Sequence, residues 1–166
     1  MSEVMMNRVD DRLIHGQVVT GWVGLRNVNS ILIVDDDVAS NPMMLDIFRF
    51  AAPPGVKLGA MTVDKAAEKL QNLNQGNERI MLITKVPKTF LRLIERGYKP
   101  ADINYGAMAH KPQSRNVAPN CDLLPEEIQD TEKLRQLGVR VWIQLVPFGG
   151  QKVVEWEAAR KKAGLS

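Results

Sequence analysis

Ser30-Ile31-Leu32-Ile33-Val34 is an unbroken apolar run, largely β-branched, that ends in Asp35-Asp36-Asp37. A strand with one wet face alternates apolar and polar residues, so a run apolar throughout belongs to a strand covered on both sides. Arg79-Ile80-Met81-Leu82-Ile83-Thr84 repeats the pattern through its middle. Helical signals separate the two. Asn41-Pro42 sets a capping residue before a proline at the first helical position, and Met44, Leu45, Phe48 and Ala52 mark one face until Pro53-Pro54-Gly55 stops the helix. Val56 to Met61 reads as the next strand. Thr62 caps a helix whose stripe is Val63, Ala66, Ala67 and Leu70, and Asn72 to Asn77 is turn-like.

The same alternation continues toward both ends. Val4 to Val9 reads as a first strand and Gln17 to Leu25 as a first helix, with Val18, Trp22 and Leu25 at helical spacing. Pro87 opens a helix bearing Phe90, Leu91 and Ile94, closed by Gly97, and Ala101 to Tyr105 is a short strand ended by Gly106. Ala107 to Asp122 is irregular, with a short strand near Asn116. Pro125 starts a helix through Leu137, Val139 to Val146 is a last strand, and Gln151 to Ala163 a last helix. Strands alternating with helices of 9 to 13 residues specify an α/β fold: an open, mostly parallel sheet with helices on both faces. With no linker, repeat or low-complexity stretch, residues 1–166 read as a single domain.

Composition narrows the function. The chain has 166 residues, 45% hydrophobic and 25% charged, an ordinary globular balance. A net charge of +3 without a basic run argues against nucleic acid and suits an anionic ligand or an acidic partner. Cys121 is the lone cysteine, so an internal disulfide and a thiolate metal cluster are both ruled out, and a buried or loop position is its expected place. The start lacks a basic flank with a long apolar core, and no apolar run approaches the roughly twenty residues of a membrane span. Cytoplasmic placement is therefore expected, with any membrane contact made through another protein. Trp22, Trp142 and Trp156 are assigned to core packing, with an interface as the other reading. The methionines are assigned to core filling.

In such sheets ligands bind beyond the C-terminal strand ends. The loops there begin at Asp10, Asp35, Met61, Thr84 and Gly106. The first carries Arg8-Val9-Asp10-Asp11-Arg12-Leu13-Ile14-His15-Gly16-Gln17-Val18-Val19, which sets two arginines, two aspartates and one of the chain's two histidines between a strand and a helix. Neutral imidazole is a nucleophile available near pH 7, and a helix start offers unpaired N–H groups to an anion. His15 is thus a candidate phosphoryl acceptor. Arg12 and Arg8 are candidates for a bidentate clamp, Gly16 and Gln17 for helix-end donors, and Asp10 for holding an arginine or orienting the ring. From the residues alone His15 reads equally as a structural loop histidine. Asp35 to Asp37 read as a capping turn or as a charged rim, and His110 with Lys111 as an exposed loop or a partner contact.

Other chemistries lack their residues. There is no G-x-G-x-x-G, no G-x-x-x-x-G-K-[ST] and no G-x-S-x-G. Two histidines 95 positions apart make no recognisable metal site. A phosphohistidine-type phosphatase is an alternative, but those enzymes resemble one another in an arginine directly before His-Gly, where Ile14 stands here. A regulatory phosphate-sensing module that does not turn over is a second alternative.

Residues 8 to 18 closely resemble the active-site signature of enzyme IIB subunits of the mannose/fructose/sorbose family of the bacterial sugar phosphotransferase system. Ile31 to Asp36, Ala52 to Val56, Ile103-Asn104-Tyr105-Gly106 and Gln144-Leu145-Val146-Pro147 are similar to family landmarks in family order, so the resemblance spans the chain. It implies that His15 is phosphorylated by the phosphohistidine of a IIA domain. The phosphoryl group then passes to a sugar as membrane IIC and IID subunits import it. It further implies Arg12 as the nearest charge partner, no metal or organic cofactor, and a homodimer on the cytoplasmic side of the inner membrane.

Overall fold

The order of strands across the main sheet places every functional loop. The computed structural model describes residues 1–166, the side chains of Gln17 and Val18 excepted. Strands β1 (Glu3–Val9), β2 (Ser30–Val34), β3 (Lys57–Met61), β4 (Arg79–Thr84), β5 (Asp102–Tyr105), β8 (Arg140–Ile143) and β9 (Val154–Glu155) form one sheet, and β6 (Arg115–Ala118) and β7 (Cys121–Leu123) form a separate hairpin. The order is β3-β2-β4-β1-β5-β8-β9. Only the β8–β9 pairing is antiparallel in this sheet. The helices are α1 (Gly16–Arg26), α2 (Asp36–Ala39), α3 (Pro42–Ala51), α4 (Val63–Leu70), α5 (Pro87–Glu95), α6 (Pro125–Gln136) and α7 (Trp156–Lys162).

Two apolar layers flank the sheet, as the doubly apolar strands require. On one face Trp22 and Val19 of α1 and Val38 of α2 pack on Ile31, Ile33, Met81 and Ile83. On the other, Val63, Ala66, Phe90, Leu93, Leu134 and Trp156, from α4 to α7, pack on Leu32, Val34, Ile80 and Leu82. β1 feeds its helix to the first face, while its neighbours β4 and β5 feed theirs to the second. The C-terminal end of β1 therefore opens between loops that diverge, the place where such sheets bind ligands. All three tryptophans are buried, with Trp22 and Trp142 edge to face at 5.8 Å, and Cys121 is buried in the second layer.

Four local expectations need correction. Val139 to Val146 is not strand throughout: β8 ends at Ile143, because the Gln144 and Leu145 carbonyls turn aside to accept from Arg8, Asn104 and Trp22. The last helix begins at Trp156, since Val154 and Glu155 pair with Ile143 and Trp142 and Glu155 binds Arg140 at 2.7 Å. The short strand expected near Asn116 is β6, but the segment is not otherwise irregular: β6 pairs with β7 in a hairpin turned at Asn120, φ +61°, which side-chain periodicity could not mark in strands of four and three residues. Helices are as short as four residues: Asp35 caps α2 by accepting from the Val38 N–H at 2.9 Å, so the three aspartates begin a helix of their own.

Candidate functional site

Val9 leaves the sheet with its ladder extended one step, the Asp10 N–H donating to the Thr84 carbonyl at 2.9 Å. The chain then turns tightly, Leu13 N–H to Asp10 carbonyl at 3.0 Å, with Leu13 at φ +56°. That left-handed backbone costs a non-glycine residue about 1–2 kcal/mol. Burial of Leu13 and Ile14 in the first apolar layer offsets it. With both anchors pointing down, His15 is left on the rim as the N-cap of α1, half-buried, its backbone extended at φ −152° and its side chain not engaged in capping. The first turn carries no acidic residue, and among the described residues no side chain caps its N–H groups, the kind of donors that attract an anion. Gly16 follows at φ +51°, a conformation glycine adopts at little cost.

Asp10 is the centre of the cluster and is fully buried. Its Oδ2 accepts from Arg8 Nη2 at 2.9 Å and the Ala107 N–H at 3.4 Å and faces His15 Nε2 at 3.3 Å, while Oδ1 accepts from the Arg12 N–H at 3.0 Å. Arg8, expected beside Arg12 as a second phosphate ligand, lies one layer deeper. It is buried against Asp10, donates to Asn104 Oδ1 and to the Gln144 and Leu145 carbonyls, and sits 5.6 Å from the Trp22 ring. Burial lowers its pKa and the Asp10 carboxylate opposes that. Its donors point into the protein, so the exposed arginine at the rim is Arg12. The Arg12 guanidinium has no hydrogen bond or ion pair among the described residues. The Gln17 side chain lies outside the described residues.

Three contributors escaped the residue-by-residue reading. Asn104 is a cross-strand neighbour of Arg8 and fully buried; a polar residue at the end of an apolar strand was its signal. Trp22 covers Arg8 and donates to the Leu145 carbonyl at 2.9 Å. Gly106 is required by space: a Cβ there would stand 2.7 Å from Asp10 Oδ2 and nearer still to the Arg8 guanidinium. Gly106→Ala is expected to cost about 1–3 kcal/mol, lowering the melting temperature by roughly 2–12 °C. An unchanged thermal melt would show that the buried pair has room to shift.

The loop is braced from the side as well. Asp11 accepts from the Ala109 N–H at 2.7 Å and lies 3.7 Å from Lys111 Nζ. His110 is exposed and sits on Asp122 at 2.8 Å; the Asn116 amide and the His110 ring hold that carboxyl below the usual range. His110 and His15 are therefore on separate loops with separate carboxylates. Asp35 and Asp36 serve structure, accepting from the Val38 and Val63 N–H groups, with Lys85 and Arg92 as their charge partners. Among the described residues no group of three potential ligands gathers to hold a metal ion, and no helix is long and apolar enough to cross a membrane.

Residues 4–164 match the family model of the sorbose subfamily IIB component of the phosphotransferase system. The sorbose-specific EIIB component of Klebsiella pneumoniae is 33% identical over 144 residues, covering 87% of this chain and 88% of that protein. The mannose-specific EIIAB component of Escherichia coli is 34% identical over 139 residues, 84% of this chain but only 43% of that longer protein. Among solved structures, manxB from Thermoanaerobacter tengcongensis superposes with a TM-score of 0.89 at 31% identity, covering 98% of this chain and 97% of that one. The family model over nearly the whole chain, the identity to the relatives and the matched length point the same way: the chain belongs to the mannose/fructose/sorbose family of phosphotransferase-system IIB components.

Proposed function

We propose that this chain's phosphoryl relay, from a IIA donor to a sugar entering through membrane IIC and IID subunits, runs through the His15 imidazole. The observation that carries the proposal is the placement of His15 Nε2 against the buried Asp10 carboxylate at the start of α1. A carboxylate only accepts, so it selects the tautomer with hydrogen on Nε2 and leaves the lone pair on Nδ1. Nδ1 is then the nucleophile. As the new Nδ1–P bond forms, the P–N bond to the donor's imidazole breaks. In the second step a sugar hydroxyl attacks phosphorus, releases its proton, and the P–Nδ1 bond breaks to return neutral His15.

Arg12, exposed at the rim, supplies charge to the phosphoryl oxygens, as do the first amides of α1 beginning at Gly16. Arg8 acts from below by holding the Asp10 carboxylate in place. The transfer as proposed uses no metal or organic group. The named relatives carry different sugars, sorbose and mannose among them, which fits specificity residing in the membrane subunits. The chain would work at the cytoplasmic face of the membrane, as a homodimer.

Incubation with phosphoenolpyruvate, enzyme I, HPr and a cognate IIA should give acid-labile, alkali-stable label, discharged by sugar plus IIC/IID membranes. Acid-stable label would overturn the phosphohistidine, and label that sugar cannot discharge would favour a regulatory module. Arg12→Ala should slow labelling roughly tenfold to a hundredfold, the worth of one charge-assisted contact of about 1.5–3 kcal/mol. An unchanged rate would place the clamp elsewhere.

A further inference from the structure

Seven of the ten residues of α3 are apolar, yet none of them is fully buried. Met44, Leu45 and Phe48 lean on the sheet as partly buried side chains. Met43, Ile47 and Phe50 are 76%, 62% and 92% exposed. Their spacing of four and then three residues lines them up along the outward face of one helix. The other large exposed apolar residues, among them Leu25, Val86, Leu137, Phe148 and Val153, are scattered singly over separate segments. Single exposed residues are ordinary, but an apolar stripe along a helix marks a contact.

We propose that this stripe is the seat of a second copy of this chain, paired α3 against α3 in antiparallel fashion about a twofold axis. Two observations select that occupant. The first is charge. Asp46 and Arg49 are both exposed and flank the stripe on the same side, one turn apart; within one helix they meet at 3.4 Å, and Arg49 Nε also donates to the Leu58 carbonyl, so each keeps further hydrogen-bonding capacity for a partner. An antiparallel pair related by a twofold axis near Ile47 and Phe48 sets Asp46 beside the partner's Arg49, and Arg49 beside the partner's Asp46. The face is thus complementary to itself, as an isologous contact requires. The second is position. α3 packs on β3, the edge strand at the far flank of the sheet, with β2 and β4 between it and β1. The stripe runs from the helix start near the C-terminal strand ends toward the opposite end, and Phe50 is about 10 Å further along it than Met43. A carrier must show His15 to a donor and to a membrane acceptor in turn. A standing contact on this flank leaves that edge clear, and a protein docked over His15 would not cover Phe50.

This inference rests on the proposed homodimer and names its face. Sedimentation velocity of the full chain should show a dimer at about 100 μM. Ile47→Glu with Phe50→Glu should raise its dissociation constant at least a hundredfold, since two central anchors are lost. Phosphorylation by phospho-IIA should stay within about twofold of wild type, because the site is on another edge. Asp46→Arg and Arg49→Asp should each weaken self-association, and mixing the two variants should restore a heterodimer. A dimer indifferent to all four substitutions, or a mixture that fails to pair, overturns the face while leaving the homodimer. A wild-type monomer overturns both. If the double glutamate variant does not fold, the charge-exchange mixture decides alone.

Discussion

His15→Ala is expected to take up no phosphate from phospho-IIA, a loss of at least about 10⁴-fold, as befits removal of a nucleophile. The reason is isolation. The only other histidine, His110, is bound to Asp122 and Ser114 on a different loop. No second imidazole among the described residues stands beside Asp10. The variant should fold, because the ring's contact with Asp10 at 3.3 Å is worth about 1 kcal/mol and Asp10 Oδ2 keeps Arg8 and the Ala107 N–H as donors without it. The loss is therefore chemical, and unchanged circular dichroism and thermal melting would establish that alongside the missing label. Label that persists in His15→Ala, or that moves to His110, would overturn the acceptor assignment.

Asp10→Asn should have the largest effect on stability. Arg8 is among the largest fully buried side chains, and Asp10 is its only counter-charge among the described residues. Removing one partner of a buried ion pair costs about 3–5 kcal/mol, because the other is left charged and unpaired. For a chain of this length that is roughly 6–20 °C of melting temperature. Asparagine also presents a mixed donor and acceptor to His15 in place of a pure acceptor, so control of the ring tautomer goes as well. Stability and chemistry can be separated by adding Arg8→Met. The double variant should regain much of the melting temperature, since neither buried charge remains, yet should still phosphorylate slowly. A single Asp10→Asn variant that melts with the wild type would show that the pair does not carry the stability of this loop.

The contrast between Arg8 and Arg12 shows where linear reading ends. Both stand in one motif four residues apart, and residue type alone assigns them the same task. They part because Arg8 is on β1, in register with Asn104 and beneath Trp22, whereas Arg12 is exposed in the Asp10–Leu13 turn that follows the strand. Similarly, Asn104 and the Gln144 and Leu145 carbonyls contribute to the site only because β5 and β8 follow β1 across the sheet. None of that order is written in local periodicity. The β9 segment reads as helix from sequence for the same reason, since its two residues are held by Arg140 and by the edge of β8 rather than by their own pattern.

The run of residues by itself determined the layered α/β class, because doubly apolar strands and amphipathic helices can hide their apolar faces in few other ways. It also marked the candidate loop, whose histidine, charges and glycine lie within nine consecutive positions, 8 to 16. Tertiary structure alone decided which arginine faces water, which carboxylate aims the imidazole, why residue 106 has no room for a side chain, and that α3 keeps an apolar face uncovered. Those features depend on which strands become neighbours, and neighbours in a parallel sheet are joined by long crossovers, so the deciding contacts join residues up to 137 positions apart.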